Sequence, residues 1–358
     1  MLKQTMRWLS AGFAAALLLA GSARAAEWFP YKAEAVNPPF AADGKASMVE
    51  YVPLAKASKK WDICVSFPHM KDAYWLGVDY GVVEEAKRQG VKMQLVEAGG
   101  YTNLNKQISQ IEDCVARGAN AVVIGAISAD GLNNLIKTIA AKKIPVIDVI
   151  NGINSPDISA KALVSFYTMG YSAGEYLAKL HPAGGKSAKV GWFPGPAGAG
   201  WVEAAHKGFA DAVKGSALVV LDPKYGDTGK EAQSKLVEDV LQGNPDLAYI
   251  AGTAVTAEAA QGIVRSRNLD KKVKIMAFYM TPGVYEGIEK GRIMAAPADS
   301  MVIQGRIAID QAVRLLEGKD VVKHVGPKIF VVDQKNIKTI QHDSILPPTS
   351  FKPVFSVK

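Results

Sequence analysis

The sequence predicts two doubly wound α/β domains, each built on a parallel sheet, facing one another across a central cleft. Three observations carry this. Short Val- and Ile-rich runs alternate with longer amphipathic runs from Trp61 onward. The alternation breaks at His181-Pro182-Ala183-Gly184-Gly185 and then restarts. At 358 residues and 49% hydrophobic, the chain is also longer than one core usually serves. Repeated strand-helix units argue for parallel strands joined by right-handed crossovers.

The chain opens with Lys3 and Arg7 before an apolar run, Ala11 to Ala20, and then Ala23-Arg24-Ala25. That order reads as a secretory signal peptide over residues 1–25, too short in its apolar part to span a bilayer comfortably. The mature chain is therefore expected in the periplasm, not spanning the membrane. Cleavage removes three basic residues and no acid, taking the formal charge from +8 to +5. Residues 26–60, with Pro30, Pro38, Pro39 and Pro53, read as an extended arm.

Strand 62–67 then leads to helix 74–89, which Gly90 stops. Strand 92–97 leads to helix 103–117, strand 121–125 to helix 131–142, and strand 145–150 to a loop. Strand 162–166 and helix 170–180 end the first half. In the second half, strand 189–193 leads to helix 201–213, strand 217–223 to helix 229–241, and strand 247–252 to helix 256–267. Strands 273–279 and 292–296 precede helices 282–290 and 301–316. A last strand, 328–332, runs into a polar tail. Two such series crossed three times by the chain give domain 1 from 61–166 and 299–324, domain 2 from 167–298 and 325–335, and a C-terminal tail, 336–358.

Composition excludes several functions. The remaining Lys and Arg are interspersed with Asp and Glu on predicted helices, which is solvated surface and not a nucleic-acid stripe. The five histidines are dispersed, so neither a metal site nor a cofactor is expected. Cys64 and Cys114 are too far apart in sequence for a redox pair. Outside the cytoplasm an even pair suits a disulfide, with two buried free thiols as the alternative. Gly170-Tyr171-Ser172-Ala173-Gly174 matches a nucleophile elbow, but Tyr167-Thr168-Met169 separate it from the preceding strand. A secreted serine hydrolase using Ser172 is therefore a remote alternative, and no enzyme is expected.

Binding chemistry concentrates at strand-to-helix corners, where ligands of open α/β sheets lie. Asp72, Tyr74 and Trp75 share the first corner, and Tyr101, Phe166, Trp201 and Tyr279 occupy others. One acid among several rings suits a methylated, cation-like solute. The alternative is that Tyr74 and Trp75 merely begin the core face of their helix.

A longer series supports a family. Lys71-Asp72-Ala73-Tyr74-Trp75, Glu97-Ala98-Gly99-Gly100-Tyr101, Met169-Gly170-Tyr171 and Pro194-Gly195-Pro196 are followed by Ala251-Gly252-Thr253-Ala254, Phe278-Tyr279 and Ala295-Ala296-Pro297-Ala298-Asp299. The series covers most of the mature chain and resembles type I periplasmic binding proteins, in particular those that sense trimethylamine N-oxide (TMAO). The resemblance implies an interdomain ligand cage of Asp72, Tyr74, Trp75, Tyr101 and Tyr279. It also implies a partner, the periplasmic domain of a membrane sensor histidine kinase, and places both cysteines at family positions. Phe166 stands where those members carry Trp, and Trp201 has no counterpart among them. Sugar-binding members of the wider family surround their ligand with Asp, Arg and Asn. By the same register this chain has Ile150-Asn151, Glu203, Ala254 and Tyr279. The resulting expectation is a sensor of TMAO or a similar small methylated amine. The alternative is the binding component of an ABC transporter for a small solute such as a sugar.

Overall fold

The computed structural model describes residues 28–41 and 44–358; the expected signal peptide lies outside them. After strands β1 (Tyr31–Asn37) and β2 (Lys45–Tyr51), the first half runs β3 (Asp62–Phe67), α1 (Ala73–Gln89), β4 (Lys92–Glu97), α2 (Leu104–Ala116), β5 (Ala121–Ile124), α3 (Asn133–Ala141), β6 (Val146–Val149), β7 (Ala160–Ala162). The second half runs α4 (Phe166–Leu180), β8 (Ala188–Phe193), α5 (Gly200–Val213), β9 (Leu218–Val220), α6 (Lys230–Gly243), β10 (Leu247–Gly252), α7 (Ala254–Ser266), β11 (Lys274–Ala277), α8 (Pro282–Glu289), β12 (Ala295–Ala298). The chain ends with α9 (Met301–Leu316), β13 (His324–Pro327), β14 (Phe330–Asp333), α10 (His342–Ile345) and β15 (Ser356–Val357).

Two main sheets with parallel centres result, with a two-stranded antiparallel sheet of β12 and β14 beside them. Among the described residues the larger has the order β15-β4-β3-β5-β6-β7-β13-β1-β2, and the smaller β11-β10-β8-β9. From β4 to β13 every pairing in the larger sheet is parallel. Its central strands are covered on both faces, which is why β5 and β6 are buried at every position. The chain leaves this lobe after β7, returns from β12 into α9, and leaves again after β13. The return is tight: a Cβ at Gly81 of α1 would lie 2.2 Å from the Val302 carbonyl oxygen of α9.

Four segments differ from the sequence reading. The arm is a hairpin, β1 paired antiparallel with β2 and β13. The buried positions of β1 are Ala33 and Ala35, side chains too small to give a pattern. The strand expected at 328–332 is β14, and an unexpected strand, β13, precedes it in a different sheet. β13 stays in the larger one and β14 pairs with β12, so 325–327 do not belong with the smaller sheet. Helix α4 starts at Phe166, capped by the Ser165 hydroxyl accepting from Thr168 N–H, so Phe166 opens a helix and does not end a strand. The tail is structured: β15 pairs antiparallel with β4, and Phe351 packs edge-on to Tyr80 at 5.1 Å.

A buried acid holds that tail. Asp79 of α1 accepts from Val354 N–H at 2.9 Å, while its other oxygen has no partner. Burial raises its pKa from 3.8 to about 7, against the pull of that hydrogen bond. The folded state therefore holds the proton more tightly than the unfolded chain. The stability this gives is complete at low pH and is lost as pH climbs from about 4 to about 7. Asp79→Asn cannot titrate. Relative to it, wild type should lose up to about 4 kcal/mol of unfolding free energy between pH 4 and pH 8. Urea unfolding at the two pH values checks this, and parallel profiles for the two proteins would refute it.

Cys64 of β3 and Cys114 of α2 are joined as a disulfide, with Cα atoms 6.1 Å apart. Ser172 lies inside α4 and not at a strand-helix turn, so the elbow geometry is missing. The flanking glycines serve packing instead: a Cβ at Gly170 would meet the Ala205 carbonyl oxygen of α5 at 2.0 Å.

Candidate functional site: an aromatic cavity between the lobes

The site begins where β3 ends. The chain turns through Pro68–Lys71, and Asp72 caps α1 by accepting from the N–H groups of Tyr74 at 3.1 Å and Trp75 at 3.3 Å. The cap aims the first helical turn, and so both rings, into the cleft. Burial of the Asp72 carboxyl lifts its pKa from 3.8 to about 7, against the opposing effect of the two N–H bonds.

Each ring is held from outside the cavity. The Tyr74 hydroxyl donates to Asp299 at 2.5 Å, and Gln304 donates to the same oxygen at 2.9 Å. Tyr74 is thus tied to the segment where the chain returns to the larger lobe. Trp75 packs on Phe67 with centroids 4.7 Å apart, and its benzo edge lies over Gly125. Tyr101, from the β4–α2 loop, accepts from Asn151 Nδ2 at 3.0 Å; Asn151 also donates to the Ala126 carbonyl at 2.7 Å.

The smaller lobe supplies the facing wall. Trp201 enters from the first turn of α5, Phe166 from the first turn of α4, Tyr279 from the end of β11, and Thr228 from the loop before α6. Rings meet across the cleft: Tyr74 and Tyr279 at 5.3 Å, Tyr101 and Trp201 at 5.9 Å. His69 meets Thr228 Oγ1 at 3.1 Å, and Lys71 pairs with Asp227 at 3.0 Å at the exposed rim. Burial lowers the His69 pKa to about 4, so its ring is neutral. The empty space at the site, counting what opens to solvent, is about 290 Å³.

All seven residues singled out from the sequence, Asp72, Tyr74, Trp75, Tyr101, Phe166, Trp201 and Tyr279, line this one cavity. Ile150, Asn151 and Thr228 complete it. Asn151 and Thr228 sit at the carboxyl ends of β6 and beyond β9, positions that corner logic could have flagged, but single polar residues in loops give no pattern. Asp299, the anchor of Tyr74, gave no signal as a support. Glu203 is exposed on α5 and takes no part in the wall. Among the described residues no group of His, Cys, Asp and Glu could hold a metal, and no helix is long and apolar enough to cross a membrane.

Residues 63–320 match the periplasmic binding protein domain. The chain belongs to the periplasmic binding protein family. Within that family it is similar to the periplasmic protein TorT of Escherichia coli K12, 38% identical over 300 residues, 84% of this chain and 86% of the relative. Among solved structures it is similar to an ABC transporter solute binding protein from Bradyrhizobium sp. BTAi1 with bound bis-tris. That likeness has a TM-score of 0.81 and 75% identity, covering 92% of this chain and 99% of the other. It is also similar to TorT in its complexes with the TorS sensor domain, solved without ligand and with TMAO. There the TM-score is 0.75 and the identity 33%, over 82% of this chain and 99% of that one. This binding protein is therefore TorT-like in sequence and in fold.

Proposed function

We propose that this binding protein captures TMAO or a similar small methylated amine between its lobes and reports it to the periplasmic domain of a membrane sensor histidine kinase. One observation carries the reading: six aromatic rings surround a single carboxylate, and no Lys or Arg is among the lining residues. Methyls on a positively polarised nitrogen suit π-faces, at roughly 0.5–2 kcal/mol per well-placed ring. A sugar would bring several hydroxyls, each costing roughly 1–3 kcal/mol if buried without a partner. The cavity offers few such partners, because Asn151 already spends both amide hydrogens. The TorS–TorT complexes supply the partner in this reading.

Asp72 faces the methyl side as an anion in this arrangement, its Oδ1 held by the start of α1. With a pKa of about 7, the carboxylate fraction rises about tenfold between pH 6 and pH 8. Affinity for TMAO should climb by that factor over the same range, and Asp72→Asn should flatten the climb. Calorimetry at the two pH values checks the sign; tighter binding at pH 6 would mean that Asp72 acts as a protonated donor instead.

A second reading has support in the relative from Bradyrhizobium, described as an ABC transporter solute binding protein. Its bound bis-tris is a tertiary amine that also carries five hydroxyls, so it leaves open which small solute is bound, and the two readings differ in the partner. Calorimetry with TMAO, betaine, choline and ribose, with and without the kinase sensor domain, separates them. Ligand and sensor domain should each strengthen binding of the other. Preference for ribose, or sensor-domain binding indifferent to ligand, would defeat the sensory reading.

A further inference from the structure

We infer that Trp201 is the hydrogen-bond donor for an acceptor atom of the ligand, so the site demands a polarised nitrogen and an acceptor oxygen on one small molecule. The inference rests on the amine-binding reading above and adds a requirement to it. Trp201 Nε1 is buried and has no hydrogen-bond partner. Among the described residues the other buried side-chain atoms in that condition are all carboxylate or amide oxygens, so this is the one orphaned donor. Buried polar groups are almost always paired, and a lone N–H is the costlier exception.

The ring cannot turn away to find water. Its benzo edge sits against Gly195, where a Cβ would lie 2.8 Å from Cη2. Phe166 at 5.6 Å, Tyr101 at 5.9 Å, Phe278 at 6.1 Å and Tyr279 at 6.3 Å surround it. With the benzo edge fixed at Gly195, the pyrrole edge points away from it. The Trp201 and Trp75 N–H groups both lie near enough to the Tyr101 hydroxyl to pull its pKa down, though the Trp201 N–H does not reach it with the geometry of a full hydrogen bond. Two of the other donors on the wall are committed, Tyr74 to Asp299 and Asn151 to Tyr101 and Ala126, while the Tyr279 hydroxyl and the Trp75 indole also line the cavity. Tyr101 accepts from Asn151, so its own proton remains free to join Trp201 at the same acceptor. An N-oxide oxygen placed between them satisfies both donors, while the methyls meet the rings near Asp72.

The test compares TMAO with tetramethylammonium, which keeps the methylated nitrogen and lacks the oxygen. Trp201→Phe retains a ring and deletes the N–H. Its affinity for TMAO should fall at least tenfold, while its affinity for tetramethylammonium changes less than twofold. In wild-type protein carrying ¹⁵N-tryptophan, the assigned Trp201 indole proton should move downfield with TMAO and not with tetramethylammonium. This measurement decides the matter if the variant fails to fold. Unchanged TMAO binding in Trp201→Phe, equal losses for both compounds, or an indole proton indifferent to TMAO would overturn the inference alone. Wild-type protein that binds neither compound overturns the amine-binding reading and the inference together.

Discussion

Trp75→Ala is expected to lower affinity for TMAO at least tenfold and to destabilise the larger lobe by about 3–5 kcal/mol. Trp75 is 2% exposed and among the largest fully buried side chains, and it serves two surfaces at once. One flank packs on Phe67 in the lobe core, and the ring also forms cavity wall. Deleting it removes a π-face and leaves a void that the clamped neighbours cannot fill. A companion variant separates the two losses. Gly125→Ala keeps every cavity side chain, but its Cβ would lie 2.4 Å from Trp75 Cη2 and force the ring to shift. Gly125→Ala should therefore weaken binding while costing less stability than Trp75→Ala. Calorimetry and thermal melts on both proteins check this; wild-type affinity in Trp75→Ala would remove the ring from the site.

Opening the disulfide should have the next largest effect. Cys64 and Cys114 are 50 residues apart in sequence, and in the chain-entropy account closing such a loop adds about 4 kcal/mol. Both sulfurs are buried between β3 and α2. Those are the elements whose ends carry the Asp72–Trp75 corner and the Tyr101 loop. A Cys64→Ser, Cys114→Ser protein, or wild type under reductant, should melt on the order of 10 °C lower. Equal melting temperatures with and without reductant would show that the bridge adds nothing.

The site was more legible in the sequence than parts of the fold, and the reason is geometric. Strand-helix alternation locates the corners, and in a parallel sheet the corners after the strands all open on one side. Large aromatics at those corners have one place to meet, so listing them amounted to describing the cavity. Phe166 reached it by another route than expected, from a helix start in place of a strand end, because the apolar run Leu163-Val164 followed by aromatics reads as strand. The hairpin β1–β2 and strand β13 were hidden. β1 buries only alanines and β13 ends in Gly326-Pro327, so neither carries the periodic signal of a strand. Asn151 and Thr228 were hidden for a different reason: what commits them is a partner distant in sequence, Tyr101 for one and His69 for the other.

The strand order also sets a timetable for synthesis. β1 and β2 are made first, yet they join the larger sheet only through β13. The opposite edge, β4, gains its neighbour β15 only from the last residues of the chain. An open edge of paired-strand backbone invites contact with other chains. In order of synthesis the edge at β7 is therefore closed only once β13 has been made, and the edge at β4 only once β15 has. The smaller sheet, made entirely between residues 188 and 277, completes its pairings before that moment. The cleft between the lobes is thus bordered by a larger sheet whose last pairing depends on residues made after the smaller sheet is complete.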